Sequence, residues 1–323
     1  MLATELKQNL DKKIASSYCV AGDDGYLRGQ ALSLLRALAG EDFLEFNLSE
    51  LDGAGLSVSD IITFFSQVPF MSSRRVIIVR DFTQNLSDDD YEKLGDAIYK
   101  SSDAVLVFYY SGQASQQIKK LSEFVDCSKL KDGEVKDVVS KWCKSQGYEI
   151  ENSALYKLIT FTNCDLMKIK NELYKLYAYC EGKGRITELD VDEVVSRDME
   201  FVVFALSNAV SEKRAKDAYS ILDEAKGDIG KNLGMLTTLI NQFRRTLHLL
   251  LNKGEDKSLL AKYLGISEYA VTRTLTLAKR YKPARLKAIV DKFEEVEYLF
   301  KSGKILSVDE ALFIGVTFAL QNS

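Results

Sequence analysis

The chain has 323 residues, 46% of them hydrophobic, and carries 43 Lys and Arg against 47 Asp and Glu for a formal net charge of -4. That length points to two or three domains, and the apolar content excludes wholesale disorder. With charge near balance the chain as a whole does not attract a polyanion, so any contact with nucleic acid is expected to be local or shared with a partner.

In chain order, the first segment, MLATELKQNLDKK, lacks the long apolar core of a secretion signal, and no apolar run further on reaches membrane-spanning length. A cytoplasmic protein with no membrane partner is expected. The first 130 or so residues then alternate in character. Short β-branched and aromatic runs, YCVAG from Tyr18, FLEFNL from Phe43, RRVIIVRDF from Arg74 and AVLVFYYSG from Ala104, are expected as strands. Helix-length segments separate them: DGYLRGQALSLLRALAG from Asp24, LSVSDIITFFSQV from Leu56 and YEKLGDAIYKS from Tyr91. Runs such as VIIV and VLVF are apolar at successive positions, which requires burial on both faces and so predicts a parallel sheet covered by crossover helices.

The turn after the first strand, YCVAGDDGYLRGQ, is where an α/β protein holds a nucleotide. A phosphate loop wants closely spaced glycines and a lysine followed by a hydroxyl residue. Here Gly22 and Gly25 flank Asp23 and Asp24, whose carboxylates repel phosphate, and no GK[ST] occurs anywhere in the chain. The turn reads as structural, with its acids capping the next helix. Asp81, which ends VIIVRD, is followed by Phe82 rather than a second acid and reads as a strand terminus, not a magnesium ligand. The run DDDYEKLGD from Asp88 lacks calcium-loop spacing.

The stretch QVPFMSSRR puts Val68, Phe70 and Met71 around Pro69, one of only two prolines. Ile61, Ile62, Phe64, Phe65 and Val68 form the expected buried stripe of the preceding helix, which Pro69 is expected to end or bend. Phe70 and Met71 fall past that bend. Either they complete the core, or they project as an anchor in which a rigid aromatic and a pliable thioether fill a partner's pocket. Gln67, Ser72, Ser73, Arg74 and Arg75 would then form its rim.

After Phe124 strand character fades. Helices are expected for EVKDVVSKWCKSQGY from Glu134, SALYKLITF from Ser153, CDLMKIKNELYKLYAYC from Cys164 with Asp165 as its cap, and TELDVDEVVS from Thr187, with GKGR at Gly182 as a flexible break. Further helices are expected to begin near Phe201, Glu212, Asn232, Lys257, Ser267, Pro283 and Val308, Pro283 suiting a first turn and Gly303 a stop. Cys19, Cys127, Cys143, Cys164 and Cys180 are scattered without a CxxC pair and read as structural thiols. His248, the only histidine, lies in TLHLLL and reads as a helix residue. No catalytic, metal or cofactor residue is assigned. Arg244 with Arg245, and Lys279, Arg280, Lys282 and Arg285, form basic clusters that suit either DNA phosphates or ion pairs and solvated faces.

VAGDDGYLRGQ, VPFMSSRRVIIV, VLVFYYSGQASQQIKKL, FTNCDLMKIKNELYKLYAY and KFEEVEYLFKSGKI occur in the order in which similar motifs run through the delta subunit of the bacterial DNA polymerase III clamp loader, and the chain resembles that family over nearly its whole length. The resemblance implies α/β followed by all-α architecture: an AAA+-like parallel-sheet domain without a phosphate loop (1–132), a small helical lid domain (133–200) and a helical collar domain (201–323). It implies a subunit without catalysis of its own that grips the beta sliding clamp and helps open it for loading onto primed DNA. The ATPase subunits, the delta-prime subunit and primer-template DNA would be its other partners. The family's clamp-gripping hydrophobic pair matches Phe70 and Met71, where leucine then phenylalanine is the commoner pair, with Pro69 and Val68 supporting them. Rival readings are a nucleoside triphosphatase of the AAA+ class, a free-standing DNA-binding module and a scaffold for another complex.

Overall fold

The structure, a computed structural model, describes residues 1–83, 85–266 and 268–322. It divides into two compact units, Met1–Lys131 and Asp132–Ser323.

In the first unit, β1 (Ser17–Ala21), β2 (Leu48–Asp52), β3 (Arg75–Arg80), β4 (Ala104–Tyr109) and β5 (Glu123–Asp126) form one sheet in the order β2-β3-β4-β1-β5. Every pairing is parallel. The doubly apolar strands explain the layering. Ile77, Val79, Leu106 and Phe108 pack with Val58, Ile61, Phe65 and Leu94 on one face. Val76, Ile78, Val105 and Val107, one position out of phase, are equally buried on the other. Each such side chain contributes roughly 1.5–3 kcal/mol on leaving water.

Two strand expectations are corrected. FLEFNL does not form a strand: Leu44–Asn47 is a short helix, entered through Phe43 at a positive φ of 54°, and the strand begins only at Leu48. This strand, LSELD, pairs on one side only, so it carries no continuous apolar run. The opposite edge strand β5, EFVD, was not expected at all; four residues with acids at both ends carry little pattern of their own, and pairing with β1 recruits them.

The second unit is helical. Helices Asp132–Ser145, Asn152–Phe161, Leu166–Tyr179 and Glu188–Val194 come first. Leu166, Ile169, Leu173 and Leu176 share the buried face of the third, and the Asp165 carboxylate accepts from Lys168 N (3.0 Å) as its cap. GKGR is more than a break: Gly182 and Gly184 turn the chain at positive φ, and Arg185–Ile186 then pairs with Glu149–Ile150.

Met199–Ser211, Ala215–Asp223, Ile229–Leu251, Lys257–Leu264, Glu268–Ala278, Pro283–Lys301 and Val308–Asn322 complete the unit. Ser267, an expected helix start, lies outside the described residues. Pro283 occupies the first turn of its helix. Phe243 stacks on Phe293 at 5.3 Å in the core, and Gly315 lies so close to the Phe293 ring that a Cβ there would fall 2.4 Å from it. His248, inside Ile229–Leu251, stacks on Tyr263. None of the five cysteines is in a disulfide and four are buried; burial pushes the thiols of Cys19 and Cys127 up to about 12.

Candidate functional site

The helix Val58–Phe65 begins with a capping box. Ser57 Oγ accepts from Asp60 N (3.1 Å), and the Asp60 carboxylate accepts from Ser57 Oγ (2.6 Å) and Ser57 N (3.0 Å); these bonds, the hydroxyl's foremost, hold that carboxyl below its ordinary range. Ile61 and Phe65 are buried against the sheet, while Ile62 and Phe64 are half-buried. The helix ends at Phe65, well before Pro69, with Ser66 N closing the last turn on Ile62 O at 2.9 Å. The helical stripe therefore does not reach Val68. Rather than tying the helix to the core, Val68 is 81% exposed.

Phe70 and Met71 project from the loop that follows, 47% and 75% exposed. Their backbone is held nonetheless. Phe70 N donates to Asn47 Oδ1 (2.8 Å), and Asn47 Nδ2 donates to Phe70 O (2.9 Å). Met71 sits at φ 49°, a left-handed conformation uncommon for a residue bearing a Cβ. Ser72 Oγ donates to Ala39 O (3.1 Å) and draws the chain back toward the fold.

Gln67 and Ser73 are exposed and Arg74 is half-buried, as rim positions would be. Arg75 is corrected: it is buried, its guanidinium donates to Phe46 O and to Ser49 Oγ (2.9 Å), and desolvation lowers its pKa. It braces the site from beneath.

Two aromatic neighbours were missed. The Phe43 ring meets Phe70 edge-on at 5.3 Å and the Phe46 ring lies 5.1 Å from it; they are 42% and 51% exposed. The signal was present in FLEFN, since aromatics three apart share a side of a helical turn, but a strand reading sends them to opposite faces.

This apolar knuckle stands at the N-terminal ends of β2 and β3. Open α/β sheets hold ligands beyond the carboxyl ends of their strands, and there the turn after β1 is already engaged. Gly22 N donates to Gly112 O (3.1 Å), Asp24 N to Cys127 O (2.9 Å), and Leu27 N to the Asp24 carboxylate (2.9 Å), while Gly22 O accepts from Arg28. Gly22 is pressed so closely on the Cys127 backbone that a Cβ would fall 2.1 Å from its carbonyl carbon. Three amides of this turn, those of Gly22, Asp24 and Leu27, are thus spent on the fold. Asp81 likewise accepts from Ser111 N (2.7 Å) and Ser111 Oγ (2.9 Å).

Arg244 pairs with Glu294 (3.0 Å), Arg245 with Glu200 (3.3 Å) and Arg280 with Glu212 (2.7 Å). Lys279, Lys282 and Arg285 are exposed. Among the described residues no group of three or more His, Cys, Asp or Glu is placed to hold a metal ion, and no helix is long and apolar enough to cross a membrane.

An all-parallel β2-β3-β4-β1-β5 sheet followed by a helical unit is the arrangement of an AAA+-like protein with helical domains. The solved structure of the Bacillus subtilis DNA clamp loader delta protein has the same fold, with a TM-score of 0.84 at 21% identity over 99% of both chains. The sequence matches the family model described as DNA polymerase III, delta subunit, over residues 18–132, and the model for the C-terminal domain of the same DNA polymerase III protein over residues 200–313. It is 24% identical to DNA polymerase III subunit delta of Bacillus subtilis over 89% of this chain and 88% of that one. It is 25% identical to the probable DNA polymerase III subunit delta of Aquifex aeolicus over 77% of this chain and 75% of that one. The chain belongs to the DNA polymerase III delta subunit family.

Proposed function

We propose that this chain binds the beta sliding clamp through Phe70 and Met71 and, by holding an open or strained ring interface better than a closed one, promotes clamp opening for loading onto primed DNA. The observation that carries this reading is an exposed aromatic and thioether pair on a backbone fastened at Asn47 and Ala39. Apolar side chains left in water on a rigid support suit a partner's pocket better than they suit a solvated loop. The mechanism needs no chemistry in this chain, only differential affinity for two states of the ring.

Pro69 and Val68 complete the contact. Gln67, Ser72, Ser73 and Arg74 form its rim, with Arg75 as the brace below. Residues 1–132 act as the clamp-contacting domain, 133–200 as the lid and 201–323 as the collar that assembles with the ATPase and delta-prime subunits. Since Arg244, Arg245 and Arg280 are engaged in ion pairs, the exposed Lys279 and Lys282 are the better candidates for phosphates of primer-template DNA, with Arg285 on the same exposed stretch.

The test is clamp binding by the intact chain and by a variant combining Phe70→Ala with Met71→Ala, with circular dichroism as the check on folding. The expected result is unchanged helicity and at least tenfold weaker binding, about 1.4 kcal/mol or more. Equal affinity would defeat the assignment, and collapse of the fold would return both residues to the core.

A further inference from the structure

Resting on that reading of the knuckle, we infer that Asn47 is the positioning residue of the clamp contact and that Phe43 and Phe46 belong to the face it presents. Asn47 ends a four-residue helical turn and its side chain is fully buried. A buried carboxamide is costly unless its donors and acceptor are satisfied. Those of Asn47 are directed to one place: Oδ1 accepts from Phe70 N (2.8 Å), and Nδ2 donates to Phe70 O (2.9 Å) and to Phe43 O (3.2 Å).

The reciprocal pair grips the peptide groups on both sides of Phe70 much as a neighbouring strand would. Yet neither Phe70 nor Phe43 lies in a strand, so these bonds extend no sheet. What they fix is the spacing between two exposed segments. The result is a trio in which Phe43 and Phe46 flank Phe70 at 5.3 and 5.1 Å, with Met71 and Val68 beside it. Arg75 holds Phe46 O from below, so both segments are tied down independently of any partner.

The occupant is the clamp ring, because this face is continuous with the Phe70 and Met71 contact and cannot be covered without it. Rings held by their backbone lose little freedom on docking, which is where preorganisation adds affinity. Removing the carboxamide deletes no exposed side chain and frees the peptide of Phe70, which holds two of its three bonds, so most of the loss in binding should pass through that residue.

The experiment measures binding of the full chain to the purified cognate sliding clamp by isothermal titration, in a cycle of Asn47→Ala, Phe70→Ala and the two combined. Hydrogen exchange at the amides of Phe70 and of Val76, Ile77, Ile78 and Val79 is followed in parallel. We expect Asn47→Ala to weaken binding about fivefold or more in the wild-type background and less than about twofold once Phe70 is alanine. The Phe70 amide should exchange faster while the β3 amides stay protected.

Equal losses in the two backgrounds, or no loss in the first, would overturn the positioning role. If Phe70→Ala still weakens binding in that case, the clamp contact itself survives. If Phe70→Ala together with Met71→Ala binds as tightly as wild type, the contact fails and the positioning role with it. Should Asn47→Ala lose β3 protection, Phe43→Ala with Phe46→Ala decides, since both rings are exposed. About fivefold weaker binding supports the wider face, and unchanged binding overturns it.

Discussion

Met71 holds a side chain in water and a backbone in the left-handed region at the same time, and the two facts can be separated by substitution. At φ 49° a Cβ is strained, whereas glycine is at ease; glycine also adds freedom to the unfolded chain, and the two effects oppose one another. Met71→Gly should therefore leave unfolding free energy within about 1 kcal/mol of wild type. The same change deletes the thioether from the knuckle, so clamp affinity should drop by about tenfold. Chemical denaturation beside a binding isotherm reads both quantities. A loss of more than about 2 kcal/mol in stability would mean that Met71 is a packing residue. Arg75 is the counter-case at this scale: next to a rim by sequence, it is buried by its bonds to Phe46 and Ser49, and charge alone gave no means of separating it from Arg74.

Elements with strong periodicity or clear caps were legible, and those made by their neighbours were not. β3 and β4 announce themselves because burial on both faces demands an unbroken apolar run, and Leu166–Tyr179 because its stripe and its Asp165 cap agree. The edge strands β2 and β5 owe their form to pairing with β3 and β1, and a single-sequence pattern carries no trace of a partner's hydrogen bonds. For the same reason the Pro69 corner was found but not its aromatic flanks: Phe43 and Phe46 reach Phe70 only because the expected strand is a helical turn. The cap of Glu188–Val194 makes the local contribution measurable. Asp190 accepts from Thr187 Oγ1 (2.7 Å), Thr187 N (2.8 Å) and Lys183 Nζ (3.0 Å), and these bonds, with that of the Thr187 hydroxyl foremost, hold its carboxyl down to about 2. A depressed pKa stabilises the fold above the unfolded value near 4, and the contribution fades as pH falls from about 4 through about 2. Asp190→Asn should cost about 1–2 kcal/mol at neutral pH, with the two unfolding curves converging as the pH approaches about 2. A constant gap down to that pH would show that the carboxylate's charge is not what matters.

At the scale of the whole molecule, the charge distribution says how the proposed clamp binding should respond to its surroundings. Three amides after β1, those of Gly22, Asp24 and Leu27, are committed to Gly112, Cys127 and the Asp24 carboxylate, so turning them to a triphosphate would break the fold's own bonds. The net charge is -4, and the arginine nearest the knuckle that is not buried is Arg74. A contact made by Phe43, Phe46, Phe70 and Met71 draws on burial of apolar surface, which salt screens little, whereas binding through several phosphates falls by orders of magnitude between about 50 and 200 mM salt. The isolated chain should therefore bind the clamp with an affinity that changes by less than about threefold over that salt range. Adding ATP and magnesium should give no heat of binding to this chain and no change in its clamp affinity. A salt slope like that of a phosphate-binding protein would move the contact from the knuckle to a charged face. A saturable ATP heat would require the β1 turn to rearrange, with Asp24 and Arg28 released from their present bonds.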